Sequence, residues 1–198
     1  MARKAATTGY IAKLKVTLIG LRPPVWRRLL VPANMTLRDL HDAIQTSMGW
    51  DDGHLHEFDI AGERFGNPGT TDEVANEARL TLAGVRDRGV ARFKYTYDFG
   101  DDWEHLVVIE GTVARVEGQH YPACIAGKRA CPPEDCGGVH GYANLLEVTA
   151  DPTHPDHKEM SEWLAEDFDP EEFSVADTDA RLAARFGPAT SIRHPAMP

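Results

Sequence analysis

Imidazoles and carboxylates are the side chains best able to hold a metal ion or move a proton, and they recur at close spacing in this chain. His41, His54, His56, Asp98, Asp101 and His105 form the first candidate set. The His-x-His spacing at 54–56 puts both rings on one face of a strand, because strand side chains alternate with a period of two. Imidazole together with carboxylate suits Zn, Mn or Fe. Trp50 and Trp103 could wall such a pocket and exclude water. The rival reading makes His41 and His105 polar anchors, with Asp98 and Asp101 accepting from backbone amides in a hairpin.

A second set is Cys124, Cys131, Cys136 and His140. Three soft sulfur ligands and an imidazole match tetrahedral zinc, which would also hold a long loop in shape. The spacing departs from the Cys-x2-Cys knuckle, and Pro132-Pro133 stiffens the chain between two of the proposed ligands. The alternative is a loop fixed by its prolines, its glycines and the Glu134-Asp135 carboxylates, with reduced cysteines packed as small apolar groups. His154 and His157 stand beside acids and a proline at a helix start, where capping accounts for them.

The elements that must position these groups can be read from periodicity. Tyr10–Ile19 alternates, with Ala12, Leu14, Val16 and Leu18 opposite Lys13, Lys15 and Thr17, so a half-buried strand is expected. Gly20 and Pro23-Pro24 interrupt it, and Val25–Val31 returns as its hairpin partner. Thr36-Leu-Arg-Asp39 is a capping-box-like helix start. Leu37, Leu40, Ile44 and Met48 then recur at helical spacing up to Gly49.

His54–Ile60 reads as a strand with His54, His56, Phe58 and Ile60 on one face. Residues 66–79 read as a loop, and 80–88 as a short strand or helical turn. From Arg92 the alternation Phe93, Tyr95, Tyr97, Phe99 predicts a buried stripe. Gly100-Asp-Asp102 makes the turn and Trp103–Val113 the returning strand. Residues 117–141 read as one long irregular loop, a length usually associated with function or an external tie. Helices are expected over 142–148, 155–165 and 176–186.

The whole suggests an α+β domain over residues 10–186, ubiquitin-like or β-grasp-like, with one helix packed on a mixed sheet. A basic segment (1–9) and a disordered tail (187–198) are expected to flank it.

With 198 residues and a hydrophobic content of 42%, the chain is large enough for one core. No apolar run approaches the ~20 residues of a membrane span, and no secretory h-region is evident. No membrane partner and a cytoplasmic location are therefore expected. Three cysteines without an export signal point to thiols or metal rather than disulfides.

The formal net charge is −10 and uneven. Eight Lys/Arg and no acid lie in residues 1–38, leaving 13 basic against 31 acidic residues in the remainder. The basic end, with Arg22, Arg27 and Arg28 around Trp26, could meet nucleic acid. An acidic body repels phosphate and disfavours it.

Five motifs in order carry a family resemblance: Arg22-Pro-Pro-Val-Trp-Arg-Arg28, Leu40-His…Met48-Gly-Trp50, His54-Leu-His-Glu-Phe58, Tyr97-Asp-Phe-Gly-Asp-Asp-Trp-Glu-His105 and Ala130-Cys-Pro-Pro-Glu-Asp-Cys-Gly-Gly138…Gly141-Tyr142. The chain resembles the family of the third open reading frame of a rhizogenic Ri plasmid, pRiA type. The resemblance implies an α+β fold and residence on mobile elements, and members are often labelled transposon-passenger TnpR resolvases. A serine recombinase needs a nucleophilic serine in a nest of arginines. Here Ser47, Ser161, Ser174 and Ser191 have no such setting. A tyrosine recombinase would need its Arg and His groups around a late tyrosine, and the last is Tyr142.

Three functions are therefore weighed. The first is a non-catalytic binding or protein-interaction module, favoured because no catalytic set is complete. The second is a metal-dependent hydrolase using the His/Asp set, and the third a DNA-binding accessory protein.

Overall fold

The computed structural model describes residues 9–70, 73–164 and 168–187, and the expectations for the basic N-terminus before Gly9 and the tail after Gly187 fall outside them. Strand β1 (Tyr10–Leu18) keeps Leu14, Val16 and Leu18 buried, as its alternation requires. It pairs antiparallel with β2 (Trp26–Pro32), Leu14 opposite Leu29. Helix α1 (Leu37–Met48) starts on a complete capping box. Thr36 accepts from the Asp39 amide, and Asp39 accepts from the Thr36 amide. It ends where Gly49 takes φ 91° and its amide bonds to the Gln45 carbonyl.

The chain continues through β3 (His56–Ile60), β4 (Glu63–Gly66), β5 (Ala75–Asn76), a 3-10 turn (Glu77–Arg79), α2 (Leu82–Asp87), β6 (Arg92–Tyr97) and β7 (Trp103–Ala114). After these come β8 (Ala123–Lys128), α3 (Gly138–Ala150), α4 (His157–Trp163) and α5 (Val175–Phe186). The strands form one eight-stranded sheet in the order β5-β4-β3-β6-β7-β1-β2-β8. Its pairings are antiparallel except β4 with β5.

The α+β class follows directly. The sheet is broader than a small grasp-like sheet, because two regions that read as loops each supply an edge strand. Residues 66–79 contain β5, and residues 117–141 contain β8, whose edge pairs with β2.

Leu40 and Ile44 of α1 and Leu182 of α5 join Phe58, Tyr95, Trp103 and Val107 of the sheet in one apolar core. Fully burying a side chain of this size contributes about 1.5–3 kcal/mol. The β6 stripe ends at Tyr97, two residues before the Phe99 that its alternation suggests. Asp98 adopts φ 56°, which breaks the period of two and leaves Phe99 45% exposed.

Candidate functional site

Three loops meet at one end of the sheet: α1–β3 (Gly49–Leu55), β6–β7 (Asp98–Asp102) and β8–α3 (Arg129–Gly137). Four of the five sequence motifs supply these loops. They are tied together by named hydrogen bonds. Trp50 Nε1 donates to the Pro132 carbonyl at 2.9 Å. The Tyr97 hydroxyl donates to Glu134 and accepts from the Gly53 amide at 3.0 Å. The Asp51 amide donates to Glu134 at 3.0 Å, and the Gly137 amide to Asp101 at 3.1 Å. A Cβ on Gly138 would collide with the Asp101 carbonyl, so α3 can begin directly against the β6–β7 turn only with glycine there.

These bonds account for the shape of the Pro/Gly/Cys loop without the cysteines. Cys124, Cys131, Cys136 and His140 do not converge. Among the described residues, groups of three or more potential ligands whose atoms lie within 4.8 Å of one another are His41-Asp52-His56 and His54-Asp98-Asp135. The Cys124 thiol donates to the Ala126 carbonyl, and His140 is exposed. Burial raises the Cys124 thiol pKa and, with Asp101 adding to it, pushes that of Cys136 up to about 12.

The six-residue His/Asp set is divided between two environments. His41 is fully buried, with Nδ1 2.7 Å from the Tyr95 hydroxyl and Nε2 2.7 Å from Asp52. Gln45 Nε2 donates to the same hydroxyl at 2.9 Å. The network fixes the tautomer. Tyr95 accepts from Gln45 and donates to His41 Nδ1, and His41 Nε2–H donates to the Asp52 carboxylate. Burial and then the neighbouring His56 push the His41 pKa down to about 3, against the opposing pull of Glu77, so the ring is neutral.

His56 lies face to face with His41, ring centroids 3.5 Å apart and planes within 8°. Its Nε2 is 2.8 Å from Glu77, a buried carboxylate whose other oxygen faces Arg38 at 3.7 Å. His105 lies deeper. Its Nδ1 is 2.9 Å from the Trp103 carbonyl, Nε2 has no hydrogen-bond partner among the described residues, and burial pushes its pKa down to about 4. Trp50 stands edge-on to His105 at 5.4 Å and lies 6.0 Å from Trp103.

His54 stands apart from these. It precedes β3 instead of continuing its buried face, and it is half-buried at the mouth between Asp98 and Asp135. The expected pocket is thus a buried histidine network beneath a surface cluster. Asp52, Glu77, Glu134 and Asp135 are the polar groups that complete it. Glu77 was hidden in a segment read as loop. Glu134 and Asp135 could be found as the carboxylates inside the Cys-Pro-Pro-Glu-Asp-Cys motif.

The arginine set is split between the two faces of β2. Arg27 is buried, with Nε donating to the Ser47 carbonyl at 2.9 Å and its guanidinium 4.0 Å from the Phe173 ring. Arg28 points the other way, makes two 2.8 Å bonds to Glu110 and lies over Trp26. Of the three, Arg22 remains as an exposed cation without a described ion pair.

Among the described residues, no helix is long and apolar enough to cross a membrane. The family model of the plasmid pRiA4b ORF-3-like protein matches residues 10–177. The uncharacterized protein y4hQ of Sinorhizobium fredii (strain NBRC 101917 / NGR234) is 42% identical over 163 residues, covering 80% of this chain and 84% of that one. The crystal structure of MM3350, a protein of unknown function from Methanosarcina mazei Go1, superposes with TM-score 0.80 at 42% identity. It covers 85% of this chain and 97% of that chain. None of these descriptions carries the resolvase label. By the family match and the 42% identical relative, this chain belongs to the plasmid pRiA4b ORF-3-like family.

Proposed function

We propose that the protein is a non-catalytic binding module that takes a protein partner at the three-loop end of its sheet. One observation carries this reading. The loops bearing most of the sequence motifs converge on one surface, and three of the four histidines that look catalytic, His41, His56 and His105, lie buried beneath it. The surface itself is built for contact. Leu55, Phe99 and Trp163 are 43%, 45% and 52% exposed. A cleft of about 340 Å³ runs beside Asp135 and Cys136, lined by Leu145, Met160 and Trp163 and by the carboxylates of Asp156 and Glu159. An apolar floor with an acidic rim fits a segment carrying an aromatic or aliphatic anchor next to Lys or Arg.

Selection of random peptides on the purified protein tests this. Enriched sequences should combine an apolar anchor with basic residues, and Trp163→Ala should weaken their binding at least tenfold. Failure to enrich any sequence, or affinity indifferent to Trp163→Ala, overturns the proposal.

Metal-assisted hydrolysis is the second reading, and the clustering of His54, Asp98 and Asp135 is what favours it. Turnover of chromogenic phosphoesters by Mn2+- or Zn2+-supplemented protein, abolished by Asp98→Asn, would establish it in place of the first.

A further inference from the structure

We infer that His54, Asp98 and Asp135 form a binding site for one divalent transition-metal ion, Mn2+ or Zn2+, which ties the three loops together. The inference goes beyond the partner-binding reading and does not depend on it, since an ion can be titrated into the protein alone.

The three side chains come from three different loops, yet one ligand atom of each lies within 4.8 Å of the others. His54 Nδ1 is 3.7 Å from Asp98 Oδ2, and His54 Nε2 is 3.3 Å from Asp135 Oδ1. Neither contact has hydrogen-bond geometry, so proton sharing does not account for the gathering.

Asp98 supplies the independent observation. Its side chain is only 10% exposed. Oδ1 accepts from the Gly100 and Asp101 amides at 2.9 and 3.3 Å, whereas Oδ2 accepts no hydrogen bond from the described residues and faces His54. A carboxylate oxygen that accepts nothing from the protein keeps its lone pairs open to a cation on that side. One imidazole and two carboxylate oxygens, with water completing the shell, suit Mn2+ or Zn2+ better than the all-oxygen preference of Ca2+ or Mg2+.

The neighbouring His41-Asp52-His56 group cannot take the ion in the same way. A metal 2.0–2.1 Å from an imidazole nitrogen lies close to the ring plane. Two rings stacked 3.5 Å apart and within 8° of parallel share no such point. Both His41 nitrogens are also engaged, by Tyr95 and Asp52.

The test is calorimetric titration of tag-free, full-length protein with MnCl2 and with ZnCl2, with MgCl2 as the comparison ion. One saturable site per chain is expected, with a matching rise in the thermal midpoint. His54→Gln and Asp98→Asn should each weaken affinity at least tenfold and remove the rise. Asn can keep the left-handed backbone and the amide acceptor at position 98, and Asp135→Asn provides a third variant should either of the others fold poorly. Cys131→Ser and Cys136→Ser should bind as the parent does. No saturable binding up to 1 mM metal ion, or binding that survives His54→Gln and Asp98→Asn, overturns the site. Loss of binding in the cysteine variants alone moves the ion to the thiols and overturns it as well.

Discussion

Two polar clusters lie side by side under the same loops and differ in one physical variable, access to water. The inner cluster of His41, His56, Tyr95, Gln45 and Glu77 is buried, and its hydrogen bonds run in one consistent direction from Gln45 through Tyr95 and His41 to Asp52. The outer cluster has side-chain exposures from 10% at Asp98 to 73% at Asp135, and its short contacts lack hydrogen-bond geometry. A buried polar group must find its partners within the fold, so the inner cluster became structure. The outer one can leave an oxygen unshared, because water or a ligand can supply what is missing. The likeness of residue types between the two therefore says little about likeness of role.

The largest effect expected from this difference is at Glu77. Replacing it with Ala leaves the buried His56 Nε2 without its partner and removes the carboxylate facing Arg38, and stranding a buried polar group costs about 1–3 kcal/mol, more where a charge is involved. Urea denaturation of Glu77→Ala beside Asp135→Asn reads the contrast directly. Equal losses in the two variants would erase the distinction between the clusters.

Acid should next test the buried histidines, His41 of the inner cluster and His105 below it. The folded-state pKa of His105 is lowered to about 4 and that of His41 to about 3, whereas in the unfolded chain both titrate near 6.5. The unfolded chain thus binds more protons below about pH 6.5. The stabilisation is complete above that pH and is lost as pH falls towards 4 and then 3. His105 alone accounts for about 3 kcal/mol of that fall. Urea midpoints at pH 7, 5 and 4 should decline steeply, and His105→Leu should flatten the decline.

The sequence carried much of this architecture in its periodicities. The β1–β2 hairpin, α1 with both of its caps, the β6–β7 hairpin and the C-terminal helices all follow from alternation, helical spacing and turn residues. What it could not carry were relations between distant segments. β8 lacks an alternating pattern of its own and becomes a strand by pairing with β2. Glu77 has no local signature, and its role exists only because β3 brings His56 to it. Spacing alone makes His54 and His56 equivalent, but β3 begins at His56, which puts one ring inside and the other at the mouth. Arg27 and Arg28 were separable in principle, because neighbouring strand residues face opposite sides. Which of those sides lay under α1 and α5 required the fold.

A smaller effect tests how the two clusters are joined. Tyr97 stacks on Trp50 at 5.0 Å and carries the hydroxyl that bridges Gly53 and Glu134. Tyr97→Phe keeps the ring and removes the bridge, at an expected cost of about 1–2 kcal/mol. Hydrogen exchange should show faster amides at Asp51 and Gly53, with the β1–β2 hairpin unchanged.

The smallest effect on stability belongs to the outer cluster, and there smallness is the informative result. Asp135 is mostly exposed and Asn can occupy its left-handed backbone, so Asp135→Asn should change the unfolding free energy by less than about 0.5 kcal/mol. If Asp135 served only to hold its loop in place, the substitution would accelerate amide exchange around Pro132–Gly137 as Tyr97→Phe does around Gly53. If the carboxylate faces a ligand, metal-free protein should be indifferent to the change, and only the gain in thermal midpoint on adding Mn2+ should disappear. Measuring both quantities on one variant separates a loop anchor from a ligand group, because the first moves the metal-free protein and the second moves only its response to the ion.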